Sequence, residues 1–191
     1  MNIIHTDIEG VEIIEPRLFI DERGYFYESF NREAFRRATG RDIDFVQDNE
    51  SRSKMGVVRG LHFQLPPHAQ SKLVRVVEGA ILDVAVDIRR NSPTFGRYVA
   101  VELSAENHRQ LFIPRGFAHG FIVTRGEAVV QYKCDNYYAP ESEGSILWLD
   151  PYLGIDWPTT LGEAIVSSKD MESPTIDKCT TLFDYDIDYY A

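Results

Sequence analysis

Cysteine is scarce in this chain, with only Cys134 and Cys179 among 191 residues. Two thiols without a Cys-x-x-Cys spacing form neither a disulfide framework nor a zinc site, so both are interpreted as reduced packing residues. Basic residues are also in the minority, because 20 Lys and Arg face 30 Asp and Glu and leave a formal net charge of -10. This balance argues against a protein that coats nucleic acid or an anionic membrane. An anionic ligand would have to meet a local cluster of basic side chains.

Long apolar runs are missing as well. Residues 1–7 contain neither a basic nor an apolar leader region, and no apolar run approaches the ~20 residues that span a bilayer. We therefore expect a cytoplasmic protein with no membrane partner. No change of composition marks a linker and no period repeats, so we expect one domain over residues 1–191.

Helical periodicity is rare, and short β-forming runs separated by turn residues dominate the chain. One helix is predicted from its cap at Asn31 through Arg37 to a stop at Gly40, and a second short helix near residues 163–166. The predicted strands from Phe45 onward cover residues 45–51, 57–64, 73–78, 80–87, 98–103, 110–113, 120–123, 128–135 and 145–149. Many short strands with few helices predict a mainly β domain, and specifically a jelly roll.

Arg59 and His62 stand in one β-forming run, on either side of Gly60. In a regular strand these two side chains would point to opposite faces of the sheet. A glycine inside a strand often marks a bulge that re-aims its neighbours. Two interpretations are therefore open. Either Arg59 and His62 both point into a single cavity, or the arginine lies on the surface and the histidine in the core.

Lys72 and Tyr132 are polar residues on predicted apolar faces. Lys72 shares its face with Val74 and Val76, and a lysine placed there needs an anionic partner or a function. Tyr132 alternates onto the inward face of its own run, so its phenol needs a hydrogen-bonding partner inside the protein. Each could also be a satisfied core residue.

The segment Pro114–Gly120 contains Pro-x-Gly-x-x-His, which resembles the second motif of the cupin form of the jelly roll, a double-stranded β-helix. Metal-binding cupins also carry a first motif with two histidines one residue apart. Here that place reads His62-Phe63-Gln64, so one imidazole is missing. We expect no metal, although a site built from His62, His119 and a carboxylate stays open as an alternative.

Eight motifs then occur in a fixed order: Asp21–Phe26, Gln47–Ser51, Arg59–Gln64, Lys72–Val76, Asp83–Asp87, Pro114–Gly120, Tyr132–Lys133 with Tyr137–Tyr138, and Ser168–Asp170. Together they resemble the dTDP-4-dehydrorhamnose 3,5-epimerase family, metal-free cupin enzymes of nucleotide-sugar biosynthesis. The resemblance covers most of the chain and implies no cofactor. It is weakest beyond Asp170, so the role of residues 171–191, within the C-terminal tail 160–191, stays open.

The resemblance implies a role for each matching residue. His62 would be the general base, oriented by Asp170, with Tyr132 as the acid on the opposite face of the sugar and Lys72 near the ketone oxygen. The implied contacts to nucleotide and sugar are Arg23, Phe26, Glu28, Gln47, Asn49, Arg59, His119, Tyr138, Glu143 and Lys169. Because the family exchanges its N-terminal arm between subunits, residues 1–30 would contribute to a partner's site in a homodimer.

The implied reaction inverts carbons 3 and 5 of dTDP-4-dehydro-6-deoxy-D-glucose. A proton next to a ketone can be abstracted when the resulting oxyanion meets a cation, and inversion needs a base on one face and a donor on the other. Three alternatives remain. They are an epimerase that inverts one carbon only, a metal-dependent cupin enzyme, and a sugar-nucleotide binding module without catalysis.

Overall fold

The computed structural model describes residues 1–160 and 162–191, and the described chain is built mostly of antiparallel strands. Two α-helices are present, α1 (Arg32–Thr39) and α2 (Ser168–Met171), with 3₁₀ turns at Pro140–Ser142 and Ile176–Lys178. The strands are β1 (Asn2–His5), β2 (Glu12–Glu15), β3 (Phe19–Asp21), β4 (Gly24–Phe26), β5 (Gln47–Lys54), β6 (Val57–Gln64), β7 (Lys72–Asp87), β8 (Arg89–Arg90), β9 (Tyr98–Ser104), β10 (Gln110–Ile113), β11 (Phe117–Cys134), β12 (Glu143–Ser145), β13 (Ile165–Val166) and β14 (Phe183–Asp184).

Within the described residues, ten strands join into one sheet in the order β1-β2-β10-β7-β11-β6-β12. Strand β5 pairs with β11, β9 pairs with β7, and β13 pairs with β6. Strands β3 and β4 form a separate hairpin, and β14 lies beside β8. The predicted fold class, a mainly β cupin-type jelly roll with a few short helices, is confirmed.

Strands β7 and β11 form the long ladder at the centre of the sheet. Each was predicted as two shorter strands, but they stay paired from Lys72 opposite Cys134 to Asp87 opposite Phe117. The chain bends inside this ladder at Gly79, whose φ is +73° and where a Cβ would lie 2.1 Å from a backbone oxygen. Glycine thus allows a bend without ending the strand.

Two predictions near the C-terminal half are wrong. The strand expected at 145–149 is β12 at Glu143–Ser145, because the backbone N–H of Leu147 turns to the carbonyl of Pro174. The helix expected at 163–166 is absent, because Ile165–Val166 pair with β6 as a parallel strand. Position 161 of the predicted tail lies outside the described residues. The predicted first helix is confirmed as α1, with Asn31 capping its start and Gly40 in the left-handed conformation at its end.

Buried side chains form two main clusters on the two sides of the β7–β11 ladder. One contains Val74, Ala85 and Phe121, and Tyr132 packs against it. The other contains Val84, Ile122 and Trp148 and is covered by the C-terminal segment. After the bend at Gly79, strand alternation sends odd residues of β7 such as Ala85 to the first cluster and even residues such as Val84 to the second. Before the bend the parity is reversed, and the even residue Val74 faces the first cluster. No helix in the described chain is long and apolar enough to cross a membrane.

Candidate active site

A bulge in β6 turns Arg59 and His62 to the same side of the sheet. His62 lies opposite His119 and Arg59 opposite Phe121, so three steps along β6 match two along β11. Gly60 allows the close approach there, since a Cβ on it would lie 2.5 Å from Gly120 Cα. The extra residue breaks the alternation and re-aims both side chains. His62 lines the cavity described below, while Arg59 is exposed and its Nε donates to Ser53 Oγ at 3.0 Å, so a shared cavity for both groups stays a prediction.

A cavity of about 430 Å³ opens beside this bulge. Its wall combines polar side chains from five strands of the large sheet, β5, β6, β7, β11 and β12, with those of the loop that follows β11. The predicted site residues on it are Gln47, Asn49, His62, Lys72, Tyr132, Tyr138 and Glu143. Asp170 and Lys169 join the site through hydrogen bonds to His62 and Glu143, and His119 lies opposite His62 on β11.

Asp170 is buried and pairs with the partly exposed side chain of His62. Ser167 caps helix α2: its side chain accepts the Asp170 N–H at 3.1 Å and so fixes the turn that carries the carboxylate. Asp170 Oδ1 lies 2.7 Å from His62 Nε2. Because a carboxylate accepts, Nε2 carries the proton and Nδ1 keeps a free lone pair. Burial lowers the pKa of His62 more than Asp170 raises it, so the imidazole is neutral at neutral pH.

Lys72 and Tyr132 project from adjacent strands into the same cavity. Lys72 Nζ lies 6.0 Å from the centre of the Tyr132 ring, and Lys72 makes no ion pair within residues 1–160 and 162–191. Burial lowers the pKa of Lys72 and raises the pKa of Tyr132, while the charge of Arg59 acts in the opposite direction on the phenol. The predicted inward face of both residues is confirmed.

His119 is held by a carboxylate that the sequence prediction missed. Asp83 is fully buried, and its Oδ1 lies 2.7 Å from His119 Nε2. Its negative charge also favours the ammonium form of Lys72. The sequence did contain a signal for this pair, because Asp83 stands within the apolar run of β7 and a buried charge needs a partner.

Polar side chains at the other end of the cavity bond to one another. Gln47 donates to Asn49 Oδ1 at 3.0 Å and accepts the backbone N–H of Tyr138 at 3.0 Å. Glu143 accepts from the Tyr138 hydroxyl at 3.2 Å and from Lys169 Nζ at 2.6 Å. Burial works to raise the pKa of Glu143, but hydrogen bonds from Lys169 and Tyr138 together lower it. Glu143 is therefore an ionised acceptor.

Gln64 occupies the position at which a metal-binding cupin has its second histidine. Its Nε2 donates to the carbonyls of His68 at 2.7 Å and Tyr137 at 3.1 Å, and its Oε1 accepts the N–H of Ala139 at 2.9 Å. The buried amide thus fastens the loop that carries Tyr138. Among the described residues, no three His, Cys, Asp or Glu side chains gather in a way that could hold a metal ion.

Arg23, Phe26 and Glu28 do not reach the cavity of their own chain. Phe26 is 68% exposed on the hairpin β3–β4, and Arg23 pairs with Asp21 at 2.6 Å. Glu28 accepts a hydrogen bond from Asn31 at 3.1 Å. Their contribution to a partner's site stays a prediction.

The geometry combines three groups that enolisation requires. A neutral imidazole can take a proton, a buried ammonium can stabilise an oxyanion, and a protonated phenol can return a proton. His62, Lys72 and Tyr132 supply these groups around one cavity.

Comparison with known proteins gives a consistent result. A family model described as dTDP-4-dehydrorhamnose 3,5-epimerase matches residues 5–178. The Escherichia coli dTDP-4-dehydrorhamnose 3,5-epimerase is 56% identical over 182 residues, which cover 95% of this chain and 98% of the relative.

Two solved structures extend the comparison. The Legionella pneumophila dTDP-6-deoxy-D-glucose-3,5-epimerase, in complex with dTDP-4-keto-L-rhamnose, superposes with a TM-score of 0.93 at 50% identity and covers 97% of this chain and 99% of its own. A 3'-monoepimerase from Streptomyces bikiniensis in complex with dTDP-quinovose gives 0.85 at 38% identity, with coverage of 93% and 88%.

Proposed function

The chain belongs to the dTDP-4-dehydrorhamnose 3,5-epimerase family, and we propose that His62 and Tyr132 are its base and acid. The enzyme inverts carbons 3 and 5 of dTDP-4-dehydro-6-deoxy-D-glucose and yields dTDP-4-dehydro-L-rhamnose. One observation supports the assignment of roles above all others. The neutral imidazole of His62, bonded to buried Asp170, shares a cavity with the protonated phenol of Tyr132.

The first step removes the proton on a carbon next to the ketone. His62 Nδ1 takes this proton, while Asp170 holds the ring through Nε2–H and stabilises the imidazolium that forms. The electron pair of the broken C–H bond moves into the enolate, and the charge collects on the ketone oxygen. The ammonium of Lys72 stabilises this oxyanion.

The second step returns a proton to the other face of the same carbon. Because burial raises the pKa of Tyr132, the phenol holds its proton at neutral pH until the enolate takes it. The enolate collapses to the ketone with inverted configuration, and the phenolate meets the positive charges of Lys72 and Arg59. Proton exchange with solvent resets both groups, and the second carbon follows by the same two steps.

The remaining predicted residues hold the nucleotide and the sugar. Gln47, Asn49 and the ring of Tyr138 suit the thymidine part, since amides match the edge of thymine and an aromatic ring stacks on its face. Arg59, His119 and Lys169 supply positive charge or N–H donors for the diphosphate and sugar, and Glu143 accepts from hydroxyls. In this way a chain with a net charge of -10 can bind the anionic diphosphate through a local group of basic side chains.

We further propose a cytoplasmic homodimer in which one subunit completes the site of the other. Phe19, Ile20, Tyr25 and Phe26 leave an aromatic and aliphatic surface exposed on the hairpin β3–β4. An exposed apolar surface of this kind is typical of a protein contact. Strand β2 pairs with β10 of its own chain and β1 pairs with β2, so we narrow the exchanged part of residues 1–30 to the hairpin and the residues directly after it. The hairpin would carry Arg23 and Phe26 to the partner, and Glu28 would follow two residues after its end.

Inversion of a single carbon is the second candidate, because the 3'-monoepimerase has a similar fold. Proton NMR of dTDP-4-dehydro-6-deoxyglucose incubated with the enzyme in deuterated water separates the two. Deuterium at carbons 3 and 5, with both centres inverted, is the expected result. Exchange at only one carbon would contradict the double inversion, and no exchange at either would contradict the assigned chemistry.

A further inference from the structure

One phenol near the C-terminus joins two segments that lead to active-site side chains. The hydroxyl of Tyr190 lies 2.6 Å from Ser71 Oγ and accepts the backbone N–H of Arg115 at 3.0 Å. Ser71 directly precedes Lys72, and Arg115 lies four residues before His119. The Tyr190 ring is 39% exposed, but its hydroxyl points inward, where burial raises its pKa.

Ser71 is fully buried and bonded through its backbone as well as its side chain. Its N–H donates to Asp135 Oδ1 at 2.6 Å, and its carbonyl accepts the N–H of Asp135 at 3.3 Å. Its hydroxyl lies 2.6 Å from the Tyr190 hydroxyl, and the same side chain opposes the rise in the pKa of Asp135 that burial causes. A buried hydroxyl needs hydrogen-bonding partners, so the Tyr190 contact helps to hold Ser71 in one place.

Arg115 connects the C-terminal tail to the carboxylate of Asp135. Its Nε donates to Asp135 Oδ2 at 3.1 Å, and its Nη1 donates to the carbonyl of Tyr189. The guanidinium also stacks on the Tyr190 ring, 5.0 Å from its centre. The side chains of Arg115 and Asp135 are only 18% and 4% exposed, so this ion pair is sheltered from solvent. We call Ser71, Arg115, Asp135 and Tyr190 the tail latch.

Lys72 depends on its backbone for its location. Its side chain makes no ion pair among residues 1–160 and 162–191, so no partner there fixes the ammonium. Its backbone starts β7 opposite Ile113 and Cys134, and the tail latch closes immediately beyond, at Ser71 and Asp135. We propose that the tail latch positions Lys72 against the developing oxyanion and that Tyr190 is a positioning residue for the reaction. The inference rests on the role proposed for Lys72.

Tyr190→Phe tests the latch by removing one hydroxyl and keeping the ring on Arg115. We expect kcat to fall about 2- to 10-fold, the range that one neutral hydrogen bond covers when it is lost in the transition state. The dissociation constant for dTDP should not change, because the nucleotide contacts lie elsewhere. Tyr185→Phe is the matched control. It lies in the same tail, and its hydroxyl reaches only exposed Glu9 at 3.5 Å, so kcat should equal the parent value.

Ser71→Ala removes the other end of the same hydrogen bond. If the two residues act through this bond, the double variant should lose no more of kcat than the worse single variant. Additive losses would overturn the inference. An unchanged kcat in Tyr190→Phe would overturn it too, as would a parallel loss of kcat, dTDP affinity and melting temperature, which indicates a loosened fold.

Lys72→Ala separates this inference from the proposed function. If Lys72→Ala is inactive and Tyr190→Phe matches the parent, the tail latch fails and the role of Lys72 stands. If Lys72→Ala retains the parent kcat, the role of Lys72 fails and the positioning inference fails with it. A loss in both variants, larger in Lys72→Ala, is the result we expect.

Discussion

His62 is the base proposed for the first half of the reaction, and its removal gives the most direct test of that role. His62→Ala should lower proton exchange by ~10² to 10⁴ and change dTDP affinity by no more than a few fold, because a positioned base acts on the rate. Asp170→Asn should be milder in the same direction. Exchange is measured by deuterium uptake and affinity by calorimetry. Undiminished exchange in His62→Ala would refute the assignment.

Tyr132 is the acid proposed for the second half of the reaction, and this role can be tested separately. In Tyr132→Phe the ring still packs, His62 still abstracts the proton and Lys72 still holds the enolate. Deuterium should therefore enter the substrate but return mostly from the His62 side, which gives labelled sugar of the original configuration. Proton NMR in deuterated water measures both outcomes.

Two results would contradict this role of Tyr132. Epimerised product at the parent rate would mean that another group is the acid. Loss of exchange would mean that the phenol takes part in deprotonation.

The pH dependence follows from the two shifted groups. His62 must be neutral, so activity is lost as the pH falls through its pKa, and burial puts this limb below the ordinary value of about 6.5. Lys72 must be charged, so activity is lost as the pH rises through its pKa, which burial puts below the ordinary value of about 10.4.

Profiles of kcat/KM against pH report both limbs for the free enzyme. Lys72→Arg should move the alkaline limb upward, because a guanidinium stays protonated. An alkaline limb that does not move in Lys72→Arg would remove Lys72 from that role.

The hairpin β3–β4 is the element that complementation can test. Consider a mixed dimer of a Phe26→Ala subunit and a His62→Ala subunit. If the hairpin acts on the partner, one of its two sites combines an intact hairpin with an intact base, and the mixture should regain activity. If the hairpin acts within its own chain, both sites stay defective and no activity returns. Homodimers of each variant, measured separately, are the controls.

At the level of elements, features that depend on neighbouring residues were predicted correctly, whereas features that depend on contacts with distant strands were not. The cap of α1 at Asn31 and the bulge at Gly60 depend on a few neighbouring residues, so the sequence contains them. The bend at Gly79 was taken as a strand end, because a glycine signals both. Ile165–Val166 became a strand only because β6 offers them an edge, which a helical pattern of two residues cannot reveal.

At the level of the whole molecule, metal independence is the remaining prediction. The two candidate ligands, His62 and His119, each bond to a carboxylate of their own, and the amide of Gln64 is occupied by backbone groups. Protein treated exhaustively with chelator should therefore keep its full turnover. Loss of activity that one divalent metal restores would favour the metal-dependent alternative.

Much of the site was predictable from motifs, while the contacts that support it were not. His62, Lys72 and Tyr132 stand out in the sequence as polar residues within apolar runs, and the resemblance to the family implied their roles. The bond from Asp83 to His119 depends on the register of β7 against β11, and the bond from Tyr190 to Ser71 joins residues 119 positions apart. Neither partner can be chosen before the fold is known.

The long distance in sequence between Ser71 and Tyr190 also determines the order in which the protein folds during synthesis. Translation runs from the N-terminus, so every strand of the large sheet leaves the ribosome before Tyr190 does. The sheet can thus assemble while the anchor for Ser71 is still missing. A chain that loses its last few residues to a carboxypeptidase would retain the sheet and the nucleotide pocket, yet turn over slowly. The mass of the C-terminal peptide therefore shows whether a preparation of this enzyme still contains Tyr190.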